Sequence, residues 1–129
     1  QRNSMNYEIN INESHQIISA TVTGVWKLEH SDKLANEMIA VSKLNGYTNV
    51  LIDHRDIMIN IPYFVAFKRP SQLKVLFDEI KPRIAFIPPN GRNKLYHFFE
   101  TVARNRGINF RIFKDQDTAY NWLKTNDLD

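Results

Sequence analysis

The sequence predicts an α/β fold, a mixed sheet with parallel later strands and helices packed against it, and three observations lead there. Tyr7, Ile9 and Ile11, then Ile18, Ala20 and Val22, alternate with polar residues on either side of a turn at Asn12-Glu13-Ser14-His15. Alternation of period two marks an antiparallel hairpin with one wet face. Three short apolar runs follow, Val50–Ile52, Ile84–Ile87 and Ile108 to Phe113, each the pattern of a strand covered on both faces. Between them, Leu73, Leu76, Phe77 and Ile80, and later Leu95, Phe98, Phe99 and Val102, recur at the i, i+3, i+4, i+7 spacing of amphipathic helices.

Taken in order, the hairpin leads to a first helix that Ser31 or Asp32 can cap, with Leu34, Ala35, Met38, Ile39 and Val41 along its inner side. Asn45-Gly46 supplies the left-handed residue that ends it. Val50–Ile52 is the central strand. The stretch Ile57 to Arg69 shows no clean period: Pro62 suits a first helical turn, whereas Pro70 would break a helix. It is read as an irregular segment with about two helical turns. Gly107 closes the helix that holds Phe98 and Phe99, and Asp115 caps a last helix with Ala119, Trp122 and Leu123 inside. The order is therefore ββαβαβαβα, which right-handed crossovers turn into a partly parallel sheet.

With 129 residues, 43% hydrophobic and 24% charged, and only 4 Gly and 5 Pro, the chain is one ordinary folded domain with enough length for a core of its own. Gln1 to Ser4 precede Met5, which can serve as initiator, and read as an expression remnant; residues 5–129 form the single domain. No Cys is present, which removes disulfides, thiolate metal sites and a cysteine nucleophile, and suits a cytoplasmic protein. The longest apolar run, Ile61 to Phe67, contains Pro62 and is far short of the roughly 20 residues of a membrane span. Net charge is +3 but unevenly spread, with most of the basic excess between Lys68 and Lys114. Solvated helix faces explain that excess most simply.

The element order, the central strand ending Val50-Leu51-Ile52-Asp53, the strand Arg83-Ile84-Ala85-Phe86-Ile87, and the closing Phe110-Arg111-Ile112-Phe113-Lys114-Asp115 followed by Ala119-Tyr120-Asn121-Trp122-Leu123 together resemble bacterial SpoIIAA-like proteins of STAS type. The similarity runs over nearly the whole chain from Met5. It implies a STAS fold and a non-enzymatic, partner-binding role. In the anti-sigma-factor antagonists of this family, a kinase phosphorylates a serine in an aspartate-serine pair at the start of the helix after the central strand. Counting on from Asp53, that pair would fall near Asn60-Ile61, where no hydroxyl stands. The resemblance thus implies the fold without the phosphorylation switch.

Loops at the carboxyl ends of parallel strands are where an open α/β sheet usually places its ligands. Asp53-His54-Arg55-Asp56 puts a carboxylate, an imidazole and a guanidinium within four residues. A small enzyme would use Asp53 to orient His54 as a base and Arg55 to hold an anion. Neighbours on an extended chain point to opposite sides, however, and no nucleophile is near. The simpler reading has Asp53 accepting backbone N–H bonds and Arg55 pairing with Asp56. Tyr63, Phe64 and Phe67, beside Lys68-Arg69, complete a crevice of apolar and basic residues that would suit a partner protein or a small apolar or anionic ligand. Asn90, Gly91, Arg92 and Lys94 enter a helix whose free N–H groups would attract an anion, although the loop lacks the P-loop pattern and capping by Asn90 is the simpler reading. No histidine pair has the i, i+4 spacing of a helical metal site, so neither metal nor other cofactor is expected. Nucleic acid is disfavoured because no RNP-like or helix-turn-helix signature is present. The expected protein is a binding or regulatory module, with a homodimer as the simplest assembly for an apolar patch at Ile57 to Arg69.

Overall fold

The computed structural model describes residues 4–90 and 93–125. Gln1 to Asn3 of the expected remnant lie outside them, whereas the carbonyl of Ser4 accepts a hydrogen bond from Val25 N–H at 3.0 Å. The elements follow the expected order: β1 (Met5–Asn12), β2 (Ile17–Val25), α1 (Leu28–Asn45), β3 (Asn49–Met58), α2 (Tyr63–Leu76), β4 (Arg83–Ile87), α3 (Asn93–Asn105), β5 (Asn109–Ile112) and α4 (Gln116–Lys124).

The five strands lie side by side in chain order, β1 antiparallel to β2 and each later pair parallel. Because every parallel step advances in the same direction, right-handed crossovers place α1, α2 and α3 on one face of the sheet. The pleat then sorts the side chains. Val50, Ile52 and Ile84 join Leu34, Met38 and Phe77 in the larger core, while Leu51, Ala85 and Ile87 turn to the other face and meet Ala119, Trp122 and Leu123 of α4. Each fully buried Ile or Phe of this kind, such as Ile17 or Phe110, contributes about 1.5–3 kcal/mol. Among the described residues no helix is long and apolar enough to cross a membrane.

Several boundaries differ from expectation. Helix α1 begins at Leu28, before Ser31 and Asp32, and its N-cap residue Lys27 makes no side-chain capping bond. Ser31 and Asp32 are instead bonded to Arg69 of α2. Its C-terminus is as read, with Gly46 at φ 73° donating to the Ser42 carbonyl. Asp115 likewise caps α4, accepting from Thr118 N–H at 2.9 Å. The central strand continues six residues beyond Ile52, so Asp53-His54-Arg55-Asp56 is strand and not loop. Nor is Ile57 to Arg69 irregular throughout: β3 runs to Met58, and α2 starts at Tyr63 and passes through Pro70. Pro62, with φ −70°, stands at the N-cap, and its carbonyl accepts from Val65 N–H at 3.0 Å. The helix expected over Leu73, Leu76, Phe77 and Ile80 is the tail of α2, which stops at Leu76.

Candidate functional site

The register of β3 against β2 advances from Thr21↔Asp53 to Thr23↔Asp56, so β3 carries one extra residue around His54 and Arg55. A bulge of this kind bends the strand and re-aims its side chains. Val50, Ile52 and His54 face the helices α1 to α3; beyond the bulge the parity changes, and Ile57 takes the inward position. Asp53 and Arg55 stand on the opposite face.

There Arg55 grips its neighbour. Its Nε lies 3.0 Å from Asp53 Oδ1, its Nη2 2.7 Å from Oδ2, and its backbone N–H donates to Oδ1 at 3.0 Å. Partial burial pushes the Asp53 carboxyl up, but the hydrogen bonds and charge of Arg55 outweigh this and leave it below its ordinary value. The expected pairing of Arg55 with Asp56 is therefore replaced by a fork onto Asp53. With both groups committed to each other across the sheet from His54, the three side chains do not meet over one pocket.

His54 is 6% exposed. Its ring packs edge-on against Phe86 and Tyr96, with centroids 4.9 and 5.7 Å away, and Nδ1 shares a hydrogen bond of 2.5 Å with Tyr96 Oη. Burial drives its pKa down to about 3, only slightly opposed by the charge of Asp53, so the imidazole is neutral at physiological pH. Among the described residues Nε2 makes no hydrogen bond.

The ring looks into a cavity enclosed by the sheet and by α1, α2 and α3. About 80 Å³ is open to the centre of a water-sized sphere, several times what one water needs. Its walls are hydrocarbon and aromatic, with Leu34, Met38, Ile52, Leu73 and Phe99 among them. Apart from the Trp26 indole, the polar side chains on the wall are Ser31, His54, Arg69 and Tyr96. His54 stands out in the sequence as a site residue, whereas Arg69 reads there only as a neighbour of the crevice. Arg69 is 4% exposed, with Nη1 2.6 Å from Asp32 Oδ1 and 3.1 Å from Gln72 Oε1, and Nη2 2.9 Å from Ser31 Oγ.

The other expected crevice residues lie elsewhere. Tyr63, Phe64 and Phe67 do not line the cavity; they are 52%, 64% and 48% exposed on the outside of α2. Tyr63 leans on Phe98 of α3, with centroids 5.0 Å apart, and the Arg106 guanidinium sits 4.7 Å over Phe67. The crevice rule depends on a reversal of strand order. Here the order runs straight from β1 to β5, so no crevice opens and the space lies between sheet and helices. Of the expected anion loop, Asn90 and Lys94 are exposed, while Gly91 and Arg92 lie outside the described residues. No group of three or more His, Asp or Glu that could hold a metal occurs among the described residues.

No family model matches the chain, and no curated protein does. Among solved structures it is similar to an anti-sigma factor antagonist from Mycobacterium paratuberculosis, with 12% identity over 97% of this chain and 98% of that one and a TM-score of 0.59. It is also similar to the anti-sigma factor antagonist SpoIIAA in its unphosphorylated form, with 7% identity over 92% and 96% of the two chains and a TM-score of 0.57. The fold is thus that of SpoIIAA and the STAS domains, as the sequence resemblance implied. At such identities the likeness concerns the path of the backbone.

Proposed function

We propose that the chain is a non-enzymatic regulatory module that recognises a protein through the outer face of α2, a second copy of itself being the simplest such partner. The observation that carries this reading is the inverted burial of α2. Its buried side chains are Ala66, Arg69 and Pro70, whereas Tyr63, Phe64 and Phe67 point outward, and Met58 at the end of β3 is 70% exposed. Large apolar side chains gathered at one place on a surface are a feature of binding faces, and aromatic residues dominate the energetics of such faces. The fold shared with anti-sigma factor antagonists is in keeping with this reading.

Sedimentation velocity of the wild type and of a Phe64→Ser, Phe67→Ser variant tests it. The wild type should sediment as a dimer and the variant as a folded monomer. A wild type that stays monomeric over the accessible concentrations sinks the homodimer, and a variant that unfolds with unchanged assembly returns the rings to the core. The competing reading is a small enzyme using Asp53, His54 and Arg55. The pleat that separates His54 from the other two argues against it. Turnover of a generic ester or phosphoester that vanished in His54→Ala would restore it.

A further inference from the structure

The outer edge of β1 carries an inference independent of the α2 face. Val25 N–H donates to the Ser4 carbonyl at 3.0 Å, and from that bonded pair the register Asn6↔Thr23, Glu8↔Thr21, Asn10↔Ser19 continues unbroken. Alternate residues of an antiparallel strand bond to the same neighbour, so the even-numbered residues of β1 turn their backbone groups to β2. Those of Met5, Tyr7, Ile9 and Ile11 therefore point outward, where no strand pairs with them among the described residues. Native sheets blunt such edges with short strands, Pro, Lys, bulges or a covering group. The opposite edge is defended in this way: β5 has 4 residues, and its Ile112 N–H donates to Glu100 Oε2 at 2.8 Å. Strand β1 has 8 residues, with no Pro, no Lys or Arg and no break in register. Beside it lies exposed hydrocarbon. The Tyr7 hydroxyl donates to Glu37 of α1, which marks the side of that helix over β1, and Val41 and Leu44 follow at i+4 and i+7 on the same side. Leu44 is 86% exposed and Ile11 42%.

We propose that the β1 edge pairs with the β1 edge of a second copy of this chain, antiparallel about a two-fold axis, and joins the two sheets into one. Such a pairing must set the outward residues Met5, Tyr7, Ile9 and Ile11 opposite one another, because only they have free backbone bonds on that side. Two registers use most of the strand. One puts Glu8 on the axis opposite Glu8 of the partner subunit, two like charges face to face. The other centres on Ile9, with Tyr7 opposite Ile11 and Glu8 opposite Asn10, and brings no like charges together. The charges select the second. Apolar side chains then meet on the helix side of the joined sheet, where Tyr7 and Ile9 already pack, and Asn and Glu side chains meet on the other. Ile11 gains the cover it lacks from Tyr7 of the partner subunit, and Val41 and Leu44 approach the axis from the helix layer. One strand pair with one helix stripe buries less than a stable interface does, so this is a weak contact that acts in addition to any contact through α2.

Amide hydrogen exchange read by NMR on the full chain, at about 20 μM and about 1 mM protein, tests the pairing. At the lower concentration the N–H groups of Tyr7, Ile9 and Ile11 should exchange fast; at the higher they should slow by about threefold or more as mass action fills the edge. Those of Glu8 and Asn10, already turned to β2, should not respond. Ile9→Pro deletes one outward donor and no bond to β2, so it should abolish the slowing at Tyr7 and Ile11 and keep the protection of Glu8 and Asn10. Ile11→Lys puts a charge at the exposed end of the edge and should also abolish the slowing, which keeps the test decisive if Ile9→Pro unfolds. The Phe64→Ser, Phe67→Ser variant should retain it, which separates this edge from the α2 face. Exchange at Tyr7, Ile9 and Ile11 that ignores concentration overturns the proposal. So does slowing that survives the edge variants or vanishes with the two α2 rings.

Discussion

His54 Nδ1 and Tyr96 Oη meet at 2.5 Å between β3 and α3, and this bond ties the far end of the central strand to the helix layer where β4 no longer accompanies it. The bond holds a neutral imidazole in an apolar setting. Stability must therefore depend on pH in a definite direction.

The folded pKa of His54 lies near 3, below the ordinary 6.5, so between those values the unfolded chain binds the extra proton and the folded one does not. Stability then rises with pH through this window and is lost progressively as pH falls from about 6.5 toward 3. For one such group the slope approaches about 1.4 kcal/mol per pH unit at most. His54→Gln keeps a partner for Tyr96 but cannot titrate. Urea unfolding of both proteins between pH 7 and pH 4 should show the wild type losing stability relative to the variant. Parallel profiles would mean that the native protein protonates His54 as readily as the unfolded chain does.

Asp32 and Arg69 form an ion pair with unequal burial, 45% against 4% side-chain exposure. Removing the exposed partner leaves the buried charge short of one ligand, whereas replacing the buried partner by a hydrocarbon of similar length returns Asp32 to water. Asp32→Ala should cost about 2 kcal/mol, and Arg69→Met less than 1 kcal/mol. The reverse order in urea titrations would show that Ser31 and Gln72 already satisfy the guanidinium.

The parts of the fold that were legible in sequence are those where hydrophobic period and burial agree. Val50 to Ile52, Ile84 to Ile87 and the inner side of α1 satisfy that condition, as do the stop signals Gly46 and Gly107. The second half of β3 does not, because Asp53, His54, Arg55 and Asp56 read as loop. Its backbone groups pair with β2, and a bulge changes which side each residue faces. Helix α2 hides for the opposite reason: its fully buried residues are a small, a charged and a proline residue, its inward leucines come only in its last turns, and its aromatics face out. His54 could be recognised as a site residue from chemistry alone. Arg69 could not, because a cation on a cavity wall looks in sequence like any solvated helix residue.

Gly24 stands at φ +87°, and a Cβ there would lie 1.9 Å from the Ser4 carbonyl oxygen. Both the backbone angle and the contact exclude a side chain. Because Ser4 holds the end of β1 against β2 through Val25 N–H, Gly24→Ala should destabilise by about 2–4 kcal/mol and expose that amide to exchange. A loss below about 1 kcal/mol, with fast exchange confined to Val25, would mean that this end of β1 can peel away at little cost.

The start of α2 bears on regulation. A phosphate placed there would meet the N–H groups of the first helical turn, which favour negative charge. Yet Asn60, Ile61 and Pro62 precede the helix and Tyr63 opens it, so no serine or threonine is present to receive one. The first such hydroxyl on α2 is Ser71, whose Oγ accepts from Arg106 Nε at 2.7 Å on the side facing α3. A phosphate at Ser71 would sit within the helix, beside Lys74 and Arg106, and could not act on the first turn. Incubation with a serine kinase of the anti-sigma type and ATP should therefore leave the intact mass unchanged. Stoichiometric addition of one phosphate, mapped by peptide sequencing to Ser71, would show instead that this chain has moved the switch two turns along the helix to a basic pocket of its own.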